Sequence, residues 1–322
     1  MRIVVFGPRH RVGAWEGDRI VDLHAADARL PSTLEELIAQ GPAALQTAAT
    51  AVGRALRDGG DAVIDAGGVR LHAPAVHRPR IACAAGNYAE HTLGSARRKG
   101  ADVSSALAGL GVDAAAATAT EVAERVRERD RPRGFWKDFA LPYGPDDDIP
   151  YPGRAERFDY EGEVAAVIGA RARDVPAGHG DDHVWGLTLL DDWSIRGQNV
   201  RDSLSFNLGK NFDGGASVGP CILVGPLDAR GIRVETRVNG ELRQSYDAGD
   251  MIFSHAEYIE YLSRDLTLLP GDMIAGGSGP GSATDLSKAG DDTLFLKIGD
   301  VVEVSVAGIG TLRNRIVAKD MS

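Results

Sequence analysis

Cysteine and long apolar runs are scarce in this sequence. The two cysteines, Cys83 and Cys221, lie far apart and each stands alone in an apolar run, which argues against a CxxC metal site and against a disulfide framework. We expect two buried thiols. No run approaches the roughly 18 apolar residues that span a bilayer, and residues 1–13 lack the apolar stretch and cleavage site of a signal peptide. These absences predict a cytoplasmic protein without a membrane partner.

Positive charge is also in short supply. The 36 Lys and Arg residues face 46 Asp and Glu, for a formal net charge of −10. Nucleic-acid-binding proteins usually carry a basic stripe, so no nucleic-acid partner is expected. The 43% hydrophobic and 25% charged residues are typical of a globular protein. At roughly 150 residues per domain, the length predicts about two domains.

Glycine and proline, with 40 and 15 residues, are spread among short runs rich in Val, Ile and Leu. This pattern is typical of many strands joined by tight turns, and it predicts an α+β, β-rich fold. We interpret residues 1–75 as a small N-terminal α+β domain with a helix from Ser32, capped by the S-x-x-E pattern of Ser32 and Glu35. The Pro-rich residues 72–80 then mark a domain boundary.

Residues 76–322 are predicted to form the larger domain. The Ala-rich part at 101–130 has Val122 and Val126 at helical spacing, which predicts one or two amphipathic helices. These helices belong to an insertion at about 95–135. The insertion is either a surface feature or a lid over the site.

Strands return from Ile149 onward. A hairpin turn is predicted at Asn239-Gly240, because this pair favours the tight turn between antiparallel strands. One clear helix, at 255–265, interrupts the strands. The second half of the chain is therefore expected to be mostly sheet.

Two glutamates, Glu161 and Glu163, lie two residues apart in a strand-like run. Alternation puts both on one face, with Cα atoms about 6 to 7 Å apart. Burying both without a partner would cost several kcal/mol, a cost that a divalent cation removes. Asp191 and Asp192 close a second apolar strand, and carboxylate oxygens suit Mg²⁺, Mn²⁺ or Ca²⁺ better than zinc. Solvated glutamates on an exposed face, and aspartates that cap a turn or helix, are the alternatives.

Several segments around these acids together resemble the fumarylacetoacetate hydrolase family. They follow one another in the family's order from about residue 80 to the C-terminus, whereas residues 1–75 resemble it poorly. The segments are FDYEGEVAAVIG at 158–169, LDDWSIR at 190–196, GKNFDGGASVGP at 209–220, VNGELRQ at 238–244, DMIFSHAEYIEYLS at 250–263, LLPGDMIAGGSGPG at 268–281 and FLKIGDVVEVSVAGIGTLRNRIV at 295–317. The likeness is greatest to acylpyruvate hydrolases and 2-hydroxyhepta-2,4-diene-1,7-dioate isomerases.

The resemblance implies a mixed β-sandwich roll with one metal ion, Mg²⁺ or Mn²⁺, with Ca²⁺ as a substitute in a crystal. The implied ligands are Glu161, Glu163 and Asp192. Asp191 stands where the family has asparagine, and this change would add a negative charge beside the metal. The resemblance also implies a homodimer.

Two implied catalytic residues are Lys210 and His91. Lys210 falls on the family's active-site lysine, which would bond a metal ligand or stabilise an enolate, with an exposed surface lysine as the alternative. His91, in GNYAEH, falls on the histidine that orients or deprotonates a water or substrate. Many members carry H-x-x-E, but position 94 is Gly94. A substitute acid would come from Glu121 or Glu124 in the insertion, or no such acid is used.

Five further residues are implied to bind substrate. Arg196 could clamp a substrate carboxylate bidentately, although pairing with a neighbouring acid is the rival interpretation. Ser278 offers a hydroxyl next to Gly277 for a carboxylate or carbonyl oxygen. Lys137 and Asn199 complete the set, and Asn199 stands where the family often has glutamine.

A metal site of this kind suits a small 2-oxo acid, because two of its oxygens can fill open metal positions. The favoured reaction is hydrolysis of a carbon–carbon bond in a 2,4-dioxo acid such as an acylpyruvate or fumarylpyruvate, through an enolate that the metal and Lys210 stabilise. An isomerase or decarboxylase on the same site is the alternative. A catalytically inactive metal-binding member of the family is a further alternative. A purely structural β-sandwich would not explain why five residues suited to chemistry all occur within the family's motifs, namely Glu161, Glu163, Asp192, His91 and Lys210.

Overall fold

The computed structural model describes residues 1–99, 111–113, 116–139, 141–197, 203–225, 229–288 and 290–319, with only the backbone for 95–99 and 203–206. The described residues form eighteen strands. They are β1 Arg2–Phe6, β2 Arg11–Glu16, β3 Arg19–Asp22, β4 Val63–Asp65, β5 Leu71–His72, β6 Ile81–Ala84, β7 Gly134–Lys137, β8 Asp148–Pro150, β9 Arg157–Asp159, β10 Gly162–Ile168, β11 Val184–Asp191, β12 Ser194–Arg196, β13 Ser217–Val224, β14 Arg233–Val238, β15 Glu241–Asp247, β16 Met273–Ala275, β17 Val301–Val306 and β18 Gly310–Val317.

Eight α-helices are found in the same described ranges. The longest, α3, covers one face of the N-terminal strands, and the others are shorter. They are α1 Leu23–Ala26, α2 Leu34–Ala39, α3 Gly41–Asp58, α4 Ala89–Lys99, α5 Ala119–Arg129, α6 Ser203–Lys210, α7 His255–Leu262 and α8 Ala283–Leu286.

One large sheet runs through the whole molecule. Its strand order is β4-β3-β2-β1-β13-β11-β10-β16-β6-β7, with β5 paired to β1. The N-terminal strands join the rest where β1 pairs with β13, as in Ile3 opposite Ile222. A boundary near residue 75 stays a prediction, but residues on its two sides share one sheet and one core.

A second sheet, of five strands in the order β15-β14-β17-β18-β8, packs on one face of the large sheet. Val164 and Leu189 of the large sheet meet Val234, Val304 and Leu312 of the smaller one in this layer. All of them are almost fully buried. Because β10 contributes alternate residues to each face, its other set of side chains faces the opposite layer.

The opposite face of the large sheet is covered by the N-terminal helices. Ala165 and Val167 of β10 share this core with Leu37 of α2 and with Ala48 and Val52 of α3. The strands at the centre of the sheet are therefore buried on both faces, which accounts for their continuous apolar runs. Glu161 and Glu163 have the same parity as Ala165, so they lie on this face.

The predicted fold class is confirmed: the chain is α+β and strand-rich, with mixed sheets. Two strand pairs, β16 with β6 and β18 with β8, are parallel, while the large sheet is otherwise antiparallel. Among the described helices, none has the length and apolar character needed to cross a membrane. Cytoplasmic location stays a prediction.

The predictions for the hairpin turn and the cysteines are confirmed, whereas the predicted helix cap is not. The hairpin at Asn239-Gly240 is confirmed, since both residues have positive φ between β14 and β15, and both cysteines are free and buried. The predicted cap at Ser32 is wrong by one residue. Thr33 is the N-cap of α2 and accepts from the Glu36 amide. The capping pair is therefore Thr33 and Glu36, one residue later than the predicted Ser32 and Glu35.

The helical insertion is described only in part. Within α5, Val122 and Val126 are buried as the helical spacing predicts. Residues 101–110 and 114–115 of the predicted helical stretch lie outside the described residues. The predicted helix at 255–265 is α7, which begins with a capping box between Ser254 and Glu257.

His255, the first residue of α7, leads to a prediction about acid stability. Its ring is buried and its Nε2 lies 3.0 Å from the Val164 carbonyl oxygen. Burial lowers the pKa of His255 from 6.5 to about 4, so only the unfolded chain takes up this proton between those values. Native stability is therefore lost as the pH falls from about 6.5 to about 4, by about 3 kcal/mol in all.

The variant His255→Gln keeps a donor for Val164 but has no proton to gain. Urea unfolding at about pH 7 and about pH 4.5 is expected to show a smaller loss of stability for this variant than for the wild type, by about 2 to 3 kcal/mol. Equal losses in the two proteins would mean that another group carries the acid sensitivity.

Candidate metal centre

Three carboxylates meet where β10 begins and β11 ends. Glu163 pairs with Leu190 across the two strands, and the Asp192 amide donates to the Glu161 carbonyl oxygen at 2.9 Å. This register puts the side chains of Glu161, Glu163 and Asp192 on one face, as the alternation predicts. One oxygen from each lies within 4.8 Å of the others, and all three residues are buried.

Lys210, at the end of α6, lies against two of these carboxylates. Its Nζ is 2.5 Å from Glu161 Oε2 and 2.7 Å from Asp192 Oδ2, and it donates to Ser194 Oγ at 2.6 Å. Burial lowers the pKa of Lys210, but Asp192 and Glu161 outweigh it and raise the pKa above its usual value. The predicted alternative of an exposed lysine is therefore wrong, because the side chain is 8% exposed.

A second lysine supports Asp192 from behind. Lys137 on β7 forms an ion pair with Asp192 Oδ1, and its Nζ donates to the carbonyl oxygens of Lys210 at 2.8 Å and Gly215 at 2.6 Å. Its side chain has no exposed surface. This placement favours a supporting role for Lys137 over the predicted contact with substrate.

Arg196 on β12 pairs with two acids. Its Nε lies 3.0 Å from Asp159 Oδ2, and its Nη2 lies 2.5 Å from Glu161 Oε1. Burial opposes the charge, but Glu161 and Asp159 raise the pKa of Arg196 further. The rival interpretation, pairing with neighbouring acids, is the one observed. The side chain still lines the cavity, so a substrate carboxylate could approach it there.

Glu163 differs from the other two carboxylates. Its one hydrogen bond among the described residues comes from the Gly277 amide, 2.9 Å from Oε2. Gly277 has φ +87°, a conformation that favours glycine. Burial, with the charges of Asp192 and Glu161, raises the pKa of Glu163 well above its usual range. A hard divalent cation fits this donor set, because it would supply a positive partner to Glu163, which forms no ion pair within the described part of the chain.

Carboxyl groups outnumber the cationic Lys and Arg side chains in this cluster. Five buried carboxyl groups face two buried lysines and one half-buried arginine, which are Asp159, Glu161, Glu163, Asp191 and Asp192 against Lys137, Lys210 and Arg196. Asp191 Oδ1 accepts from the Glu161 amide at 2.9 Å. Burial is the main cause that raises the pKa of Asp191 to about 8. The extra negative charge predicted for Asp191 is therefore mostly absent near neutral pH in the metal-free protein.

His91 on α4 faces the same cluster. Its Nε2 lies 3.9 Å from Glu161 Oε1, and its Nδ1 is 2.7 Å from Asp285 Oδ2. Burial lowers the pKa of His91, but Asp285 and Glu161 outweigh it and raise the pKa above 6.5. The acid beside His91 is thus Asp285 of α8, whereas the two sequence candidates, Glu121 and Glu124, are exposed on α5.

A cavity of about 150 Å³ opens onto these groups. Ser278 lines it, and its Oγ accepts from Gln244 Nε2 at 2.8 Å and donates to the Gly279 carbonyl oxygen at 3.2 Å. Phe135 forms another wall, with Lys210 Nζ 5.1 Å from its ring centre. Asn199 lies outside the described residues.

The structure therefore brings together most of the predicted site. Around the cavity lie the three acids with His91, Lys210, Arg196 and Ser278, while Lys137 and Gly277 support the carboxylates from outside. Sequence reasoning missed Asp285 and Ser194. Asp285 had only one local signal, its place in a short S-A-T-D helix start after the glycine-rich segment.

Comparison with known proteins gives the family. Residues 80–317 match the sequence profile described as fumarylacetoacetate (FAA) hydrolase C-terminal. The chain belongs to the fumarylacetoacetate hydrolase family. This confirms the predicted resemblance and its extent from about residue 80.

Two relatives of this fumarylacetoacetate hydrolase family member are similar over nearly the whole chain. The oxaloacetate tautomerase YisK of Bacillus subtilis (strain 168) is 31% identical over 315 residues, 94% of this chain and 94% of the relative. The mitochondrial oxaloacetate tautomerase fahd2 of Xenopus laevis is 29% identical over 326 residues, 98% of this chain and 90% of the relative.

Solved structures agree with this family fold. Fumarylacetoacetate hydrolase from the psychrophile Exiguobacterium antarcticum is 26% identical, with a TM-score of 0.70 over 99% of this chain and 100% of that one. Maleylpyruvate hydrolase of Sphingobium sp. SYK-6, in complex with manganese(II) and pyruvate, is 23% identical, with a TM-score of 0.72 over 99% and 100%. The second likeness bears on fold alone. Named family members thus include hydrolases and tautomerases.

Proposed function

We propose that this protein is a divalent-metal-dependent enzyme that moves a proton at the carbon beside the keto group of a small 2-oxo acid, as an oxaloacetate tautomerase does. The observation that carries the proposal is the position of His91, the one imidazole beside the cluster among the residues that the structure describes. His91 Nε2 lies 3.9 Å from Glu161 Oε1, while Asp285 holds the other ring nitrogen. The full-length relatives that are named oxaloacetate tautomerases support this choice of reaction.

Glu161, Glu163 and Asp192 would hold the metal, with Mg²⁺ and Mn²⁺ as the candidates. When bound, a divalent cation would act as a Lewis acid that makes the carbon next to the keto group more acidic. The cluster is buried, and in such a dry site each charge acts more strongly than in water.

The chain's own residues would then do three things. His91 would take a proton from the substrate carbon and return it, since its Nε2 borders the cavity and lies near the ligand cluster. Lys210 would hold Glu161 and Asp192 in place and add positive charge where negative charge develops. Ser278 would orient a substrate oxygen through its hydroxyl.

Carbon–carbon hydrolysis, the reaction favoured from the sequence, is the second candidate. It needs a water molecule held beside the base. Asp285 Oδ1 is buried and has no hydrogen-bond partner among the described residues, and its carboxylate contacts His91. That free acceptor offers a place for such a water, so hydrolysis deserves a parallel assay.

The deciding experiment compares substrates on chelator-treated protein with and without Mg²⁺ or Mn²⁺. Exchange of the C3 protons of oxaloacetate for deuterium, followed by NMR and faster than with the metal alone, is expected. Release of pyruvate from acylpyruvates or fumarylpyruvate would instead favour the hydrolase. Carbon dioxide release would indicate a decarboxylase, and metal binding without any turnover an inactive member.

His91→Gln separates metal binding from proton transfer. Because His91 is not one of the three carboxylates, Mn²⁺ affinity measured by calorimetry is expected to be unchanged. Turnover is expected to fall by about 10² to 10⁴, the contribution of a positioned general base. The exposed His77 supplies the control variant His77→Gln, which should behave as wild type. Loss of metal affinity in His91→Gln would mean that the histidine is a ligand and not the base.

A further inference from the structure

Position 94, close to His91 on α4, carries no side chain. Gly94 lies three residues after His91 on α4, and residues at this spacing are neighbours on one helix face. A Cβ placed on Gly94 would lie 3.8 Å from Cβ, Cγ and Oδ1 of Asp285. The volume that a side chain at position 94 would enter is therefore filled by a carboxylate from another part of the chain.

Only one carboxylate oxygen of Asp285 is hydrogen-bonded among the described residues. Its Oδ2 accepts from His91 Nδ1 at 2.7 Å and from the Gly281 amide at 3.0 Å. The side chain is 5% exposed. Its Oδ1 has no hydrogen-bond partner among the described residues, so the carboxylate directs one oxygen to the ring and keeps the other free.

The short helix α8 that carries Asp285 is itself anchored to the ligand network. Asp159 accepts from the amides of Ala283 at 2.8 Å and Thr284 at 3.2 Å, and from Thr284 Oγ1 at 2.7 Å. The same Asp159 pairs with Arg196, which pairs with Glu161. Asp285 is thus fixed relative to the carboxylates as well as to His91.

We propose that Asp285 is the positioning residue of His91, supplied from α8 into the space that Gly94 leaves open on α4. Because Nδ1–H donates to Asp285, the lone pair of Nε2 is directed to the carboxylate cluster. Asp285 does not touch the substrate and acts through the imidazole. The effect of Asp285 on turnover rests on the proposed function, whereas its effect on the orientation and tautomer of the His91 ring does not.

The short distance between position 94 and Asp285 allows the carboxylate beside His91 to be moved from α8 to α4 by substitution. In Asp285→Ala, His91 loses its acceptor. In the double variant with Gly94→Glu, a carboxylate returns from α4 itself, into the volume vacated by Asp285. Helix propensity favours glutamate over glycine at an interior position. Glu124→Ala removes an exposed acid of α5 and serves as the control. Asp285→Leu removes the acceptor but keeps a side chain of similar size, in case the alanine variant does not fold.

The first readout uses metal-free protein without substrate. Long-range proton–nitrogen NMR of protein labelled at the imidazole nitrogens reports the tautomer of His91, assigned with His91→Gln. The spectra are recorded at rising pH until the nitrogen shifts of His91 show a neutral ring. We expect the Nδ1–H form in the wild type and in Glu124→Ala, a shift to the Nε2–H form in Asp285→Ala and Asp285→Leu, and a return in the double variant. An unchanged tautomer in Asp285→Ala and Asp285→Leu would overturn the proposal.

The second readout is turnover. Asp285→Ala is expected to lower kcat by about 10- to 100-fold, the usual cost of losing an orienting partner, with KM little changed, and the double variant is expected to regain most of the loss. A rise in KM alone, or no recovery in a double variant that folds, would overturn the positioning role. If no 2-oxo acid is turned over even by the wild type, the proposed function fails while the NMR result still decides on Asp285.

Discussion

Glu163→Gln is expected to weaken Mn²⁺ binding by more than about 100-fold, more than the 10- to 100-fold that loss of an outer partner costs. The substitution removes one of three clustered carboxylates, and an amide is a poor substitute for a charged ligand. The fold is expected to survive, because the amide oxygen can still accept from the Gly277 amide, the one hydrogen bond of Glu163 among the described residues. Calorimetric titration with Mn²⁺ measures the affinity.

Thermal unfolding in chelator supplies the companion measurement. Glu163→Gln and wild type are expected to unfold at similar temperatures, because Glu163 forms no ion pair with any residue that the structure describes. The exposed Glu121 of α5 gives the matched control Glu121→Gln, which should bind Mn²⁺ like the wild type. Undiminished affinity in a folded Glu163→Gln protein would contradict the assignment of the metal site.

Lys210→Met is expected to destabilise the metal-free protein by about 3 kcal/mol. Breaking a buried ion pair typically costs 3 to 5 kcal/mol, and Lys210 serves both Glu161 and Asp192. The lower end is expected, because Glu161 retains Arg196 and Asp192 retains Lys137. Urea unfolding in chelator measures the loss.

Divalent metal should restore much of this loss. At about 100 times its Kd, a ligand that binds only the native state adds about 2.7 kcal/mol. Mn²⁺ is expected to stabilise Lys210→Met at least as much as the wild type, because the ion brings positive charge to the Glu161 and Asp192 carboxylates that have lost Lys210. The exposed Lys297 provides the control Lys297→Met, which should lose little. A Lys210→Met protein as stable as wild type in chelator would show that the lysine is not needed to balance the carboxylates.

Some features followed from local sequence alone. The E-x-E spacing required Glu161 and Glu163 to share a face because strand side chains alternate, and Asn239-Gly240 required a tight hairpin because both residues accept positive φ. The cysteines could be assigned as buried thiols from their apolar surroundings. Each of these conclusions depends on residues within a few positions of one another.

Other local signals were too weak to be exact. Ser32 and Thr33 both have hydroxyls that can cap a helix, and both are followed three residues later by glutamate. Only the backbone path decided that Thr33 is the cap of α2. Likewise, no local rule could tell whether Arg196 would meet a substrate or the buried acids Asp159 and Glu161.

The sequence by itself determined the family, the strand-rich fold and the three clustered carboxylates, because alternation, turn chemistry and motif order act over short stretches. Tertiary structure alone decided which acid supports His91. Asp285 lies 194 residues from His91 along the chain, and it meets the imidazole because β16 and the glycine-rich segment bring α8 against α4, where Gly94 leaves room. Such a partner depends on packing between distant elements, which no spacing within the sequence encodes.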